Sequence, residues 1–124
     1  DGDLLAEVLA QCPNLRGLLL SSNSLLDRGV QCIAPVLSGL LQLTMLNISL
    51  NGMESTGAVS LVEVLPKLTQ LTVVNLSLNF TDLASTRQLS LALSQCRGLR
   101  VLSLAGSTIG PAPAPHQPLG TMRT

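Results

Sequence analysis

The sequence predicts an α/β fold: a right-handed α/β solenoid bent into a horseshoe, with a short parallel sheet on its concave face. Three observations carry that expectation. A phrase of similar residues restarts at Leu15, Leu43, Leu71 and Leu99, each 28 residues after the last. Within each phrase apolar and polar residues alternate, as in a strand with one buried face. In the stretch that follows, apolar residues stand three and four apart, as along one stripe of a helix. Self-similarity at such a period marks a chain built from stacked supersecondary units.

The phrases read LRGLLLSSNSL, LTMLNISLNGM, LTVVNLSLNFT and LRVLSLAGSTI. Residues 15–42, 43–70 and 71–98 are expected to be complete units. The opening DGDLLAEVLAQCPN, residues 1–14, matches the second half of a unit: Leu5, Val8, Leu9 and Cys12 correspond to Ile33, Val36, Leu37 and Leu40. In the second unit Leu46 and Ile48 alternate with Met45, Asn47 and Ser49, which predicts a strand. Leu61, Val64, Leu65 and Leu68 then predict a helix. Gly29 and Gly57 fall where turn gives way to helix. Pro35 would cost about 3 kcal/mol inside a regular helix, so that helix is expected to start near it, kink there or be short. Residues 99–110 hold a strand without a helix. Residues 111–124, with Pro111, Pro113, Pro115 and Pro118, read as an extended, disordered tail.

Stacking such units forces curvature. Parallel strands sit about 4.8 Å apart, whereas packed helices need about 8–10 Å between axes. The two layers therefore splay, with strands inside. Asn23, Asn51 and Asn79 stand where each chain leaves its strand. Their amides, donor and acceptor together, suit the backbone groups that a buried turn leaves unpaired. Ser107 stands at the next such position and supplies only part of this.

Composition narrows the function. Seven Lys and Arg balance seven Asp and Glu, and charged residues make up 11% of the chain. A partner bound by charge alone, such as nucleic acid, is disfavoured. Phe80 is the sole aromatic residue, which argues against stacking platforms for bases. No apolar run reaches the length of a membrane span. Neither end carries the polar cap that a stack needs, so the chain reads as a piece of something longer, prone to self-association through its ends.

A 28-residue unit of the form LxxLxLxxNxL followed by Gxx(A)L resembles the ribonuclease-inhibitor-like class of leucine-rich repeats, over residues 1 to 110. The subclass is similar to the carboxy-terminal arrays of NOD-like receptors, to those of tonsoku-like repair scaffolds and to ribonuclease inhibitor itself. The resemblance implies a protein of the cytoplasm or nucleus that recognises other proteins, without catalysis or cofactor. In NOD-like receptors such arrays sense ligands and restrain the receptor. Ribonuclease inhibitor fits least, since its kind of ligand calls for an acidic, aromatic-rich inner face. A GTPase activator built on similar repeats would need a polar catalytic cluster at a repeat edge, and none stands out.

The alternation places Gly17, Leu19, Ser21, Met45, Asn47, Ser49, Val73, Asn75, Ser77, Val101, Ser103 and Ala105 on the open face of the strands. Across units these give a stripe of Met45, Val73 and Val101, a stripe of Asn47, Asn75 and Ser103, and a stripe of Ser21, Ser49 and Ser77. Such a neutral, mildly apolar surface suits a flat or extended protein partner. Arg16 and Arg100 share a repeat position, with Thr44 and Thr72 between them, and Arg97 and Arg100 could meet an acidic group. Glu54 and Asp82 also share a position, but acid–base chemistry needs a cleft and a third group. Cys12, Cys32 and Cys96 show no metal-ligand or disulfide spacing and read as buried, reduced thiols. His116 is the only histidine and lies in the tail, so no nucleophilic triad can be built around it. No metal site is expected. The sequons at Asn47, Asn75 and Asn79 read as by-products of N-x-S in a strand.

Overall fold

In the computed structural model, residues 2–79, 82–104 and 121–123 are described. Four three-residue strands, β1 (Gly17–Leu19), β2 (Met45–Asn47), β3 (Val73–Asn75) and β4 (Val101–Ser103), pair in chain order and run parallel. Residues 28 apart are direct partners: Gly17 faces Met45, Met45 faces Val73 and Val73 faces Val101. The middle residue of each strand, Leu18, Leu46, Val74 and Leu102, is buried, and its neighbours face the other way. Two-residue periodicity thus becomes one packed face and one open face. At each strand entrance one carbonyl accepts two N–H groups of the next strand. Arg16 takes those of Thr44 and Met45, Thr44 those of Thr72 and Val73, and Thr72 those of Arg100 and Val101.

The second layer is helical: α1 (Gly2–Ala10), α2 (Leu26–Leu37), α3 (Ser55–Val62) and α4 (Leu83–Ser94), each packed on the next. One hydrophobic cluster joins helices, strands and connections, with Ile33, Leu37, Leu43, Leu46, Ile48, Leu61, Leu65, Leu68, Leu71 and Leu76 excluded from solvent. None of the described helices is long and apolar enough to cross a membrane.

The turns leaving the strands share a left-handed step. Ser22, Leu50 and Leu78 have φ of 61°, 57° and 61°, and two residues on Ser24 and Gly52 have φ of 52° and 68°. Glycine meets the second step at position 52. The leucines meet the first at a cost of about 1–2 kcal/mol each, because their Cβ crowds the following carbonyl. Leu50 and Leu78 remain about half exposed, 50% and 47%.

Three elements differ from the sequence expectation. Pro35 lies in the last turn of α2, nine residues after its start. The helix ends two residues later, so the missing N–H costs one bond near a terminus rather than a break in the middle. The stripe Leu61, Val64, Leu65 and Leu68 is buried as expected but is not one helix. α3 stops at Val62, and a 3₁₀ turn, Leu65–Lys67, follows. Pro66 explains the division, since it has no N–H to continue the α-helical ladder and disfavours α-helical geometry at Leu65. Finally, part of the segment read as a disordered tail forms β5 (Thr121–Arg123), antiparallel to β4. An edge strand presents unpaired backbone groups, and pairing satisfies them. Residues 105–120 of the expected partial unit and tail lie outside the described residues.

Candidate functional site

The open face of the sheet is set by strand register. Pairing brings Met45, Val73 and Val101 side by side, and likewise Asn47, Asn75 and Ser103. Met45 and Val101 are 39% and 37% exposed, with Val73 between them half-buried. Asn47, Asn75 and Ser103 are half-buried, while Leu19, in the edge strand, is 64% exposed. Arg100 is exposed at the entrance to β4 and Arg16 at the entrance to β1. Thr44 and Thr72 between them donate their hydroxyls to the Arg16 and Thr44 carbonyls. Ala105 lies outside the described residues.

The two asparagines of this face are locked. Asn47 Oδ1 accepts from the N–H and hydroxyl of Ser49, at 3.0 and 2.7 Å. Asn75 Oδ1 accepts from the same two groups of Ser77, at 3.0 and 2.6 Å. Each amide oxygen is therefore taken up by the serine two residues on. The same bonds correct the expected third stripe. Ser49 and Ser77 are buried, 6% and 7% exposed, because they fold under the asparagine amide as the chain leaves the strand. Ser21 is exposed; the residue two before it is Leu19, which has no amide to draw it in. The face at this end is thus Met45, Asn47, Val73 and Asn75, without the serines.

Below the face runs a second row of amides. Asn51 Oδ1 accepts from Asn23 and Leu25 N–H, and its NH₂ donates to the Leu20 and Ser49 carbonyls. Asn79 repeats this one unit later, accepting from Asn51 and Met53 N–H and donating to Ile48 and Leu76 carbonyls. Both are wholly buried. Asn23 is exposed; it donates to the Leu20 and Ser21 carbonyls.

Glu54 and Asp82, which share a repeat position, differ in what their side chains bond. Asp82 caps α4, accepting from Ser85 N–H at 2.7 Å. That N–H, then the Ser85 and Ser55 hydroxyls, hold its carboxyl below the usual carboxylate range. Glu54 occupies the corresponding cap position of α3 but makes no cap bond with its side chain. Its role passes to Asp27 in the preceding helix, whose Oδ1 accepts from Glu54 and Gly57 N–H at 2.6 and 2.9 Å. Asp27 escaped sequence reading because it stands one position off the repeat register of Glu54 and Asp82. The thiols also depart from expectation: Cys96 is buried, but Cys12 and Cys32 are only half-buried. Burial pushes the Cys96 thiol up. Cys32 is raised chiefly by the hydrogen bond it donates to Asp3. Among the described residues no three His, Cys, Asp or Glu side chains are grouped closely enough to hold a metal ion, and His116 lies outside them.

Residues 42–62, from the end of one unit through β2 and α3, match a family model of the leucine-rich repeat. No curated protein and no solved structure matches the chain. The match supports a leucine-rich repeat protein, and a leucine-rich repeat suggests a role in protein interaction.

Proposed function

We propose that this chain is a non-catalytic protein-binding segment in which units 15–42, 43–70 and 71–98 wind as a right-handed horseshoe with the sheet on its concave side. The observation that carries the reading is the uncharged open face, where Met45, Val73 and Val101 lie in one row and Asn47, Asn75 and Ser103 in the next. An uncharged surface of half-exposed apolar groups loses little desolvation energy when a flat or extended segment covers it. Arg100 at its margin supplies a charge for an acidic group at the partner's rim. The form of the repeat favours ligand-sensing, autoregulatory repeats of an intracellular NOD-like receptor. Scaffold repeats of a tonsoku-like genome-maintenance protein would use the same face.

The test is a fourfold alanine substitution at Met45, Asn47, Val73 and Asn75, with partner recovery compared against the parent chain. Loss of a recovered protein from an otherwise folded variant supports the face. Unchanged recovery would assign the segment to spacing. A nucleotide-binding domain in the parent protein selects the receptor, and ankyrin repeats select the scaffold.

A further inference from the structure

Asn51 is followed by Gly52, the only Asn–Gly pair in the chain. With no side chain on the following residue, the glycine nitrogen can close on the asparagine Cγ more readily than any other backbone nitrogen. In the folded chain that approach is blocked. The Asn51 side chain is fully buried and held by four hydrogen bonds: from Asn23 N–H (3.1 Å), from Leu25 N–H (3.1 Å), to Leu20 O (2.8 Å) and to Ser49 O (3.0 Å). Three of the four reach residues 20–25, the turn that follows β1. Rotating the amide toward Gly52 N therefore means parting that turn from β2.

The part that must move is thinly buried. Among the described helices α1 contributes the fewest buried residues, Leu9 alone, with Leu4 and Val8 more than half exposed, and Leu18 of β1 is the least buried of the four parallel-strand centres, at 7%. Regions with few buried contacts open at lower free energy than the rest of a structure.

We propose that Asn51 is a spontaneous deamidation site, sealed by the stack, which reacts when the α1–β1 unit lifts away and then hinders its return. In the reaction Gly52 N–H yields its proton to solvent base and the nitrogen bonds to Asn51 Cγ. The Cγ–Nδ2 bond breaks and ammonia leaves. Water then opens the cyclic imide at either carbonyl, giving an aspartyl or isoaspartyl residue; no oxidant or reductant takes part. In the aspartyl product a carboxylate oxygen stands where Nδ2 stood, facing the Leu20 and Ser49 carbonyls with two donors lost. The isoaspartyl product also lengthens the backbone at the left-handed step of Gly52. Both oppose reseating of the 20–25 turn. Asn79 makes the equivalent bonds, but its successor is Phe80, whose side chain hinders the same closure.

The test is incubation of the full chain in mildly alkaline buffer, native and in urea, with deamidation located by peptide mass spectrometry. In urea Asn51 should react first among the six asparagines. In the native chain its rate should fall at least about tenfold, as expected for a reaction confined to a minor open state. Leu18→Ala should restore much of the rate at Asn51, and the milder Leu5→Ala should restore part of it. Amide hydrogen exchange at residues 20–26 should loosen in the same order. Equal native and urea rates would overturn the seal. So would variants that loosen exchange at residues 20–26 yet leave the Asn51 rate unchanged. Reacted protein whose 20–26 exchange stays as slow as in unreacted protein would overturn the obstruction of return.

Discussion

Replacing Asn79 by alanine should be severely damaging for a polar substitution. Its Oδ1 accepts from Asn51 N–H at 3.1 Å and Met53 N–H at 3.0 Å, and its Nδ2 donates to the Ile48 and Leu76 carbonyls at 3.0 Å each. Removing the amide strands the Asn51 and Met53 N–H donors and the Ile48 carbonyl, and takes one donor from the Leu76 carbonyl, in a region closed to solvent. Each buried group left unpaired costs about 1–3 kcal/mol. Water entering the vacated space would re-pair some of them. The expected loss is therefore about 3–5 kcal/mol, the lower part of the simple sum of three penalties. That is a large share of the roughly 5–15 kcal/mol that holds a typical domain together. Asn23→Ala is the internal control, since its donor bonds lie at the surface and water can replace them; its loss should stay near or below about 1 kcal/mol. Urea unfolding followed by far-ultraviolet circular dichroism measures both, with the slope checking that the unfolded states are comparable. Equal losses for the two variants, or an Asn79→Ala loss within about 1 kcal/mol of zero, would refute the claim that buried amides join the units.

Three further outcomes are expected. Gly57→Ala would place a Cβ 2.6 Å from Asp27 Oδ1 and 2.8 Å from Met53 Cγ, so overpacking of about 1–3 kcal/mol should exceed the helix-propensity gain of about 1 kcal/mol; Gly98→Ala, whose nearest atom is Leu71 O at 3.5 Å, should be harmless in the same thermal melts. Leu50→Asn should raise the melting temperature, because asparagine tolerates the left-handed φ of 57° and relief of about 1 kcal/mol is available; a lowered melting temperature would mean that the leucine makes contacts outweighing its strain. Asp82 titrates below its ordinary value in the folded chain, so its contribution is present above about pH 4 and is lost as pH falls through the lowered value; Asp82→Asn should flatten the acid limb of a stability–pH curve, and an unchanged limb would count against the cap.

The strands and their pairing were legible because identical side chains recur at a fixed spacing, and a parallel stack converts that spacing directly into register. The asparagine row was legible for the same reason. Features that depend on small offsets were hidden. Alternation reads through Ser49 and Ser77 as though the strand continued, whereas it ends at Asn47 and Asn75 and the amides fold the serines inward. Asp27 serves the helix of the next unit, a relation between coils that no single-unit pattern displays. The Leu61-to-Leu68 stripe looks continuous because a 3₁₀ turn after Val62 still points Leu65 inward. The open face could be placed by periodicity, but the bonds that tie Ser49 to Asn47 and Ser77 to Asn75 could not, since they form within the turn.

The joints between neighbouring coils have a consequence for how such a chain can change length. The bonds that Asn51 and Asn79 make to the coil before them end on backbone atoms, never on side chains. A coil's outward residues can thus be rewritten without disturbing the coupling. Whole blocks of 28 residues could be duplicated or deleted with the strand pairing and the asparagine bonds re-formed. A single inserted residue within a coil would misalign all of its couplings at once. The asparagine joints thus tolerate change in steps of 28 residues and in the identity of the open face, and resist change in between.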